Sequence, residues 1–439
     1  MIRTTVRLAA GLAATLALAL GGSTACSGRA AAAVPDPLIA QVARAAPGAT
    51  LVVPAGVHHV HLVLTRPLTL TGAAGAVLDG DGSGSVLRIV AAHVTVSHLA
   101  VRNSGRDLTA MDAGIFVEQT ARGVRILDND ISESLFGMWL NGPPDALVQD
   151  NRVRGFADLP TVHRGDGIHL WNVHSSTVAG NTVSFSRDGI YVYVSNHDRI
   201  SGNHVSDVRY GVHYMYSNDN VLDGNHTTRT RGGYALMQSE RLLIENNVSD
   251  RDSNYGLLMN FILHSTIRGN RVTRVAPEQG YVVGGNAVSG GDGKGLFAYN
   301  CVHNTITGNL FADNGIGVHL TAGSTDNRFY GNAFVNNHVQ VRYGNTRQEE
   351  WSWQGRGNYW SGYLGWDLNG DGIGDVPFVP NDAMDRLLWI YPNVRLLMNS
   401  PAVATLRWVQ ALFPVFDMPH VQDSHPLMTS PFSASAGSP

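Results

Sequence analysis

"VAGNTVSFSRDGIYVYVSN" (178–196), "ISGNHVSDVRYGVHYMYSN" (200–218) and "VLDGNHTTRTRGGYALMQS" (221–239) lie almost end to end and share one frame: Gly-Asn, a few polar residues, a glycine, then alternating apolar positions. Outward from them, Asn181, Asn203, Asn225, Asn247, Asn270, Asn309 and Asn332 follow at steps of 22, 22, 22, 23, 39 and 23 residues. Gly114, Gly137, Gly167, Gly189, Gly211, Gly233, Gly256, Gly295 and Gly317 keep the same step, with longer gaps before Gly167 and Gly295. Two columns in register define coils. A repeat of this length marks a solenoid, and the segments between glycines are too short and too rich in Val, Ile, Gly and Asn for helix pairs. No Leu-x-x-Leu-x-Leu frame recurs. The expected fold is all-β: a right-handed parallel β-helix over residues 50–343, with glycines and asparagines in left-handed turns and Asn side chains laddering between coils about 4.8 Å apart. The gaps at 141–166 and 273–294 read as loops bulging from two coils.

The chain of 439 residues is 44% hydrophobic, enough for a sizeable core. Its 31 basic and 35 acidic residues give a net charge of −4 with no dense Lys/Arg stripe, which argues against nucleic acid as a partner. At the start, "MIRTTVRLAAGLAATLALALGGSTACSG" combines a positive end, an apolar run from Leu8 to Leu20, and small residues at Ser23 and Ala25. Residues 1–25 therefore read as an export signal, too short for a comfortable membrane span. Cys26 is a candidate lipid-anchor cysteine, although Ser23 stands where such sites usually carry a large apolar residue. With Cys26 cleaved off or lipidated, Cys301 has no partner, and no disulfide framework is expected.

Residues 26–49 read as an N-terminal linker and cap. Beyond Tyr343 the texture changes: "EEWSWQGRGNYWSGYLGWDLNGDGIGD" (349–375) crowds Trp351, Trp353, Trp360 and Trp366 into a loop-rich cap over 344–398. An open solenoid end needs such a cap to block edge pairing. Residues 399–439 read as a C-terminal helix and tail for partner docking. Ser400 is the N-cap, Pro401 the first turn, and Ala402, Leu406, Val409 and Phe413 form one apolar stripe.

Counting from each column glycine, positions one and three are apolar and face the core: Ile168/Leu170, Ile190/Val192, Val212/Tyr214 and Tyr234/Leu236. Positions two and four then face out, and read His169/Trp171, Tyr191/Tyr193, His213/Met215, Ala235/Met237 and His319/Thr321. Met237 lies one coil from Met215 on the same face. His213, Met215 and Met237 thus form a soft donor set suited to Cu(I) and poor for Mg²⁺ or Ca²⁺. The alternative, a Met-and-aromatic stripe packed under a loop or cap, stays open on spacing alone. Met259 falls at a core position. His204 and His226, each directly after a column Asn and one coil apart, make a second stacked pair able to bind metal or merely be solvated. "VHHVH" offers His58, His59 and His61.

Two further constellations compete. Asp166 and Asp188 each precede a column glycine, stack one coil apart and have His169 and Arg187 nearby, which would serve carboxylate acid/base work on a sugar bond. As turn-shaping residues they would be structural. "DLNGDGIGD" places Asp367, Asn369, Asp371 and Asp375 at calcium-loop positions one, three, five and nine with Gly372 sixth, but Phe378 stands where a bidentate carboxylate belongs, so a structural Ca²⁺ competes with an Asp/Gly turn cluster.

"MDAGIFVE", "RGDGIHLWN", "RYGVHYMYSND", "YALMQS", "NYGLLMN", "GRGNYWSGYLGWDLNGDGIGDVP", "NDAMDRLLWIYP" and the terminal "DSHPLM" resemble the NosD family of nitrous oxide reductase maturation proteins, in one order from about residue 50 to residue 428. A generic β-helix would share the Gly/Asn columns but not the Trp-rich cap or the "DSHPLM" end. The resemblance implies a periplasmic β-helix protein that partners an ABC transporter of NosY permease and NosF ATPase type. It implies work beside a copper chaperone and nitrous oxide reductase, whose copper centres the protein helps to supply. No catalysis is implied for the chain itself, copper as Cu(I) would be held transiently, and membrane contact would run through the partner. The matching family motif, "GVHYMY" with "YALM", falls on His213, Met215 and Met237. The runner-up readings are a polysaccharide-active β-helix enzyme and a scaffold without metal.

Overall fold

The computed structural model describes residues 36–277, 281–283, 286–288, 291–321, 323–381, 401, 405 and 419–432. Over these residues the chain winds as a right-handed parallel β-helix. Three sheets of 12, 13 and 12 strands run along its axis among the described residues, each strand pairing in parallel with its counterpart one coil on. The first coil strand is Ala49–Val53 and the last of the third sheet is Val339–Tyr343.

The register follows the sequence columns. On the third sheet Ile190 pairs with Val212, Val212 with Tyr234 and Tyr234 with Leu257, and all four are buried. Each such side chain contributes roughly 1.5–3 kcal/mol by leaving water. Met259 is likewise in the core. The asparagine column is a continuous ladder: Asn181 Nδ2 donates to Asn203 Oδ1 at 2.9 Å and to Val148 O at 3.0 Å, and Asn203 Nδ2 donates to Asn225 Oδ1 at 2.9 Å. It extends past the seven predicted rungs to Asn129, Asn151 and Asn358. Buried amides are tolerated because each Nδ2 finds one acceptor in the next coil and another in the preceding one. The turn residue before each rung from Asn129 to Asn332 is left-handed, as Gly180, Gly202 and Gly224 at φ 66°, 62° and 64°, or as Asp150 and Asn246 at 56° and 55°. The other glycine column answers a different need. A Cβ on Gly211 would lie 2.3 Å from Thr227 Cγ2 and 2.5 Å from the Gly233 carbonyl, so the coils can close only over glycine.

Both ends are sealed. An α-helix over Pro37–Arg44, within the stretch read as linker and cap, starts at N-cap Asp36, which accepts from Leu38 N at 2.8 Å, and buries Leu38 and Val42 against the first coils. At the other end Trp351 stacks on Phe329 at 3.9 Å and Trp360 on Phe334 at 4.3 Å. Trp353 and Trp366 are exposed, so half of the predicted tryptophan cluster forms the seal. Part of the tail joins it: Val421 pairs with Glu349, and Asp423 takes hydrogen bonds from Asn358 N at 2.7 Å and Trp360 Nε1 at 2.8 Å. Residues 421–423, within the stretch read as helix and tail for docking, thus form part of the cap. The insertion at 273–294 carries an antiparallel pair, Tyr281–Val283 with Asn286–Val288. The export signal, Cys26 and most of the C-terminal helix lie outside the described residues. Cys301 is buried and free.

Candidate metal centre

The third sheet positions the outward columns. Trp139, His169, Tyr191, His213 and Ala235 succeed one another at a single register position, and Trp171, Tyr193, Met215 and Met237 do so at the neighbouring one. The rings of the first column pack on each other: Trp139 to His169 at 3.9 Å, His169 to Tyr191 at 4.8 Å, Tyr191 to His213 at 4.5 Å. Pointing away from the core does not expose them. His169 and His213 are 4% and 6% accessible, because each imidazole is covered by the aromatic residue one coil away. Trp171 is exposed, and Tyr191, Tyr193, Met215 and Met237, half-buried, keep the partial exposure expected of this face.

The carboxylates and the imidazoles, which the sequence sets apart as rival constellations, form one network. Asp188 accepts from Arg209 Nε at 2.8 Å and Nη2 at 2.6 Å, and its Oδ2 lies 2.9 Å from His213 Nδ1. Asp166 does the same with Arg187, at 3.1 and 3.0 Å, and with His169 Nδ1 at 2.8 Å. Both aspartates are fully buried. Burial alone would raise the Asp188 carboxyl, but the hydrogen bonds from His213 and Arg209 hold it down at about 2. The Asp188 carboxylate only accepts, so Nδ1 of His213 carries a proton, and the neutral form of that ring presents its lone pair at Nε2. Nε2 of His169 and Nε2 of His213 are buried without a hydrogen-bond partner.

A carboxylate behind Nδ1 with a bare Nε2 in front is how proteins orient a metal-binding imidazole. At His213 the soft donors are at hand. Met215 lies two residues on along the same strand face, Met237 pairs with Met215 in register, and the position beside His213 in the next coil is the small Ala235. Tyr191 Oη donates to Met215 Sδ at 3.6 Å, tying the aromatic column to the thioether. Burial, and then the charges of Asp166 and Asp188, push the Tyr191 hydroxyl up to about 12, so it stays a neutral donor. His169 has Trp171 where His213 has Met215, and therefore no thioether beside it.

Sequence reasoning missed Tyr191 and Arg209. A signal for Arg209 was present in the spacing, since Arg187 sits 21 residues beyond Asp166 and Arg209 sits 21 residues beyond Asp188. Elsewhere the predicted donors are less converged. Asp367 accepts from Gly370 N at 2.7 Å and Gly372 N at 2.8 Å, Asp371 accepts from Asn369 Nδ2 at 2.9 Å, and Asp375 accepts from Leu368 N at 2.7 Å, an arrangement of turn carboxylates. Among the described residues the one set of three His, Cys, Asp or Glu donors within 4.8 Å of one another is His59, Asp79 and Asp81, where Arg102 and Asn103 already occupy Asp79. His58 turns to Asp36 and His61 to the Ser85 carbonyl.

Fold and site together define a right-handed β-helix protein whose outward face carries a buried, carboxylate-oriented imidazole beside paired thioethers. A right-handed β-helix family model matches residues 86–207, and the family described as "Periplasmic copper-binding protein (NosD)" matches residues 156–365. The "Probable ABC transporter binding protein NosD" of Pseudomonas aeruginosa is 56% identical over 377 residues, covering 86% of this chain and 87% of that protein. Its namesake in Stutzerimonas stutzeri is 53% identical over 378 residues, covering 86% of each. The chain belongs to the NosD family. Among solved structures, the A-module of the Azotobacter vinelandii mannuronan C-5 epimerase AlgE4 superposes with a TM-score of 0.53 at 16% identity, over 70% of this chain and 91% of that one. The AlgE6 A-module gives 0.51 at 17%, over 76% and 94%. At such identities the likeness is one of fold. No helix among the described residues is long and apolar enough to cross a membrane.

Proposed function

We propose that this protein is a non-catalytic accessory factor that takes up Cu(I) and delivers it for assembly of the copper centres of nitrous oxide reductase. It works in the periplasm, after export on residues 1–25, with the permease and ATPase of an ABC transporter and with a copper chaperone. The observation that carries this reading is His213: a buried imidazole, oriented through Nδ1 by Asp188, with an unpartnered Nε2 on the face that bears Met215 and Met237. Thioether and imidazole donors suit Cu(I), and thioethers neither compete for protons nor form disulfides. The names of the relatives and the family description support the transporter and the metal respectively.

Competition for Cu(I) against a chromophoric chelator tests the site. The wild-type chain is expected to withdraw one equivalent, and Met215→Leu/Met237→Leu to lose at least tenfold in affinity. Equal affinity in both proteins would remove the site. Copper content of the reductase isolated from cells carrying the same variant tests delivery.

A further inference from the structure

The second sheet carries a pair of histidines that the site above does not use. His204 and His226 open the strands His204–Ser206 and His226–Thr228, which pair in register, so both side chains leave the same face one coil apart. Their ring centroids are 5.7 Å apart and their planes meet at 61°. His204 is exposed, whereas Nε2 of His226 is buried without a hydrogen-bond partner, as is Oγ1 of Thr228 two residues along the same face.

A metal ion sits about 2.0–2.1 Å from an imidazole nitrogen, along its lone pair. Two rings that share one ion therefore stand roughly 5–6 Å apart, with planes free to be inclined, as these two are. A second histidine pair one coil apart makes the contrast. His264 and His303 lie 5.2 Å apart but nearly parallel, at 18°, and both are exposed. Lone pairs of parallel stacked rings run side by side instead of converging.

We propose that His204 and His226 chelate one borderline divalent transition ion, of the Cu(II) and Zn(II) class, through one nitrogen of each imidazole, with water completing the shell beside Thr228. Two neutral imidazoles without thioether or thiolate favour such ions over Cu(I). The site occupies the same two coils as Met215 and Met237, around the turn where Arg229 holds Asp207 at 2.9 Å, and it does not depend on the Cu(I) reading. The solenoid would then hold a harder and a softer metal site on adjacent faces.

Cu(II) titrated into the full chain and followed by electron paramagnetic resonance tests this. Wild type is expected to bind with superhyperfine splitting from two nitrogens. His204→Gln, a substitution at an exposed ring, and His226→Gln are each expected to weaken binding at least tenfold and to remove the two-nitrogen pattern. Met215→Leu/Met237→Leu and His264→Gln/His303→Gln are expected to leave both unchanged. Thermal midpoints of the metal-free variants separate lost ligands from lost folding, and His204→Gln is expected to keep the wild-type midpoint. Unchanged affinity and spectrum in His204→Gln, or loss of the signal in the His264/His303 variant instead, would overturn the proposal.

Discussion

The backbone N–H of Asn358, the last rung of the asparagine ladder, donates at 2.7 Å to Asp423, 65 residues further along the chain. The same carboxyl accepts from Trp360 Nε1 at 2.8 Å and from His425 N at 3.1 Å. A ladder of buried amides must end on an acceptor, and the returning tail provides it. Asp423→Ala strands three donors and is expected to cost about 3 kcal/mol, read as a lower denaturant midpoint at unchanged slope. An unaltered midpoint would show that the tail is not part of the seal.

Because Asp423 belongs to the cap, deleting residues 399–439 disturbs folding as well as any docking surface. The proposal that 400–414 docks onto the transporter is better tested in the full chain by Leu406→Ser/Val409→Ser. Expected are an unchanged thermal midpoint and loss of co-purification with the transporter. Retained co-purification would reject docking through this stripe.

Asp188 does not reach the proposed metal, yet it fixes the proton on His213 Nδ1 and the orientation of Nε2. Asp188→Asn is expected to weaken Cu(I) binding roughly 10–100-fold. Asp166→Asn, which disturbs the equivalent network at His169, is expected to lower stability as Asp188→Asn does while leaving Cu(I) affinity near wild type. Equal losses of affinity in the two variants would mean that the effect is structural.

Asp198 occupies a ladder position between Ser176 and Asn220, donating its backbone N–H to Asn220 and accepting from Ser176 N, with Oδ2 buried and unpartnered. Burial pushes its carboxyl up to about 8. The folded state therefore holds a proton that the unfolded chain releases near its ordinary value of 3.8, so stability is full below that value and falls as pH rises towards 8. Asp198→Asn, which matches the neighbouring rungs, is expected to flatten this dependence and to raise stability at pH 8 by roughly 1–3 kcal/mol. Parallel pH–stability curves for the two proteins would contradict it.

Gly211→Ala places a methyl against Thr227 and the Gly233 carbonyl, both part of the next coil. A loss of about 3 kcal/mol or more is expected, and Gly224→Ala, where a Cβ meets nothing within 4 Å and only the φ of 64° opposes it, is expected to cost about 1–2 kcal/mol. Chemical denaturation of the pair orders the two effects.

Much of this protein was written in its repeat. Residues 22 apart must be neighbours in a solenoid of 22-residue coils, so the asparagine ladder, the core columns, the stacking of Met215 on Met237 and the pairing of His204 with His226 all follow from spacing. Side-chain direction along the strand follows from its period of two. Tertiary structure decided what spacing leaves open. His169 takes the carboxylate three residues before it in its own coil, whereas His213 reaches back 25 residues to Asp188, because Tyr210 stands where its own coil would carry an aspartate. Whether an outward histidine meets water or an aromatic ring depends on rotamers and on the neighbouring coil, and so does the burial that leaves Nε2 of His213 bare. The choice of Asp423 to end the ladder lies further still from any local pattern. It rests on where the tail returns after leaving the solenoid, which no periodicity encodes.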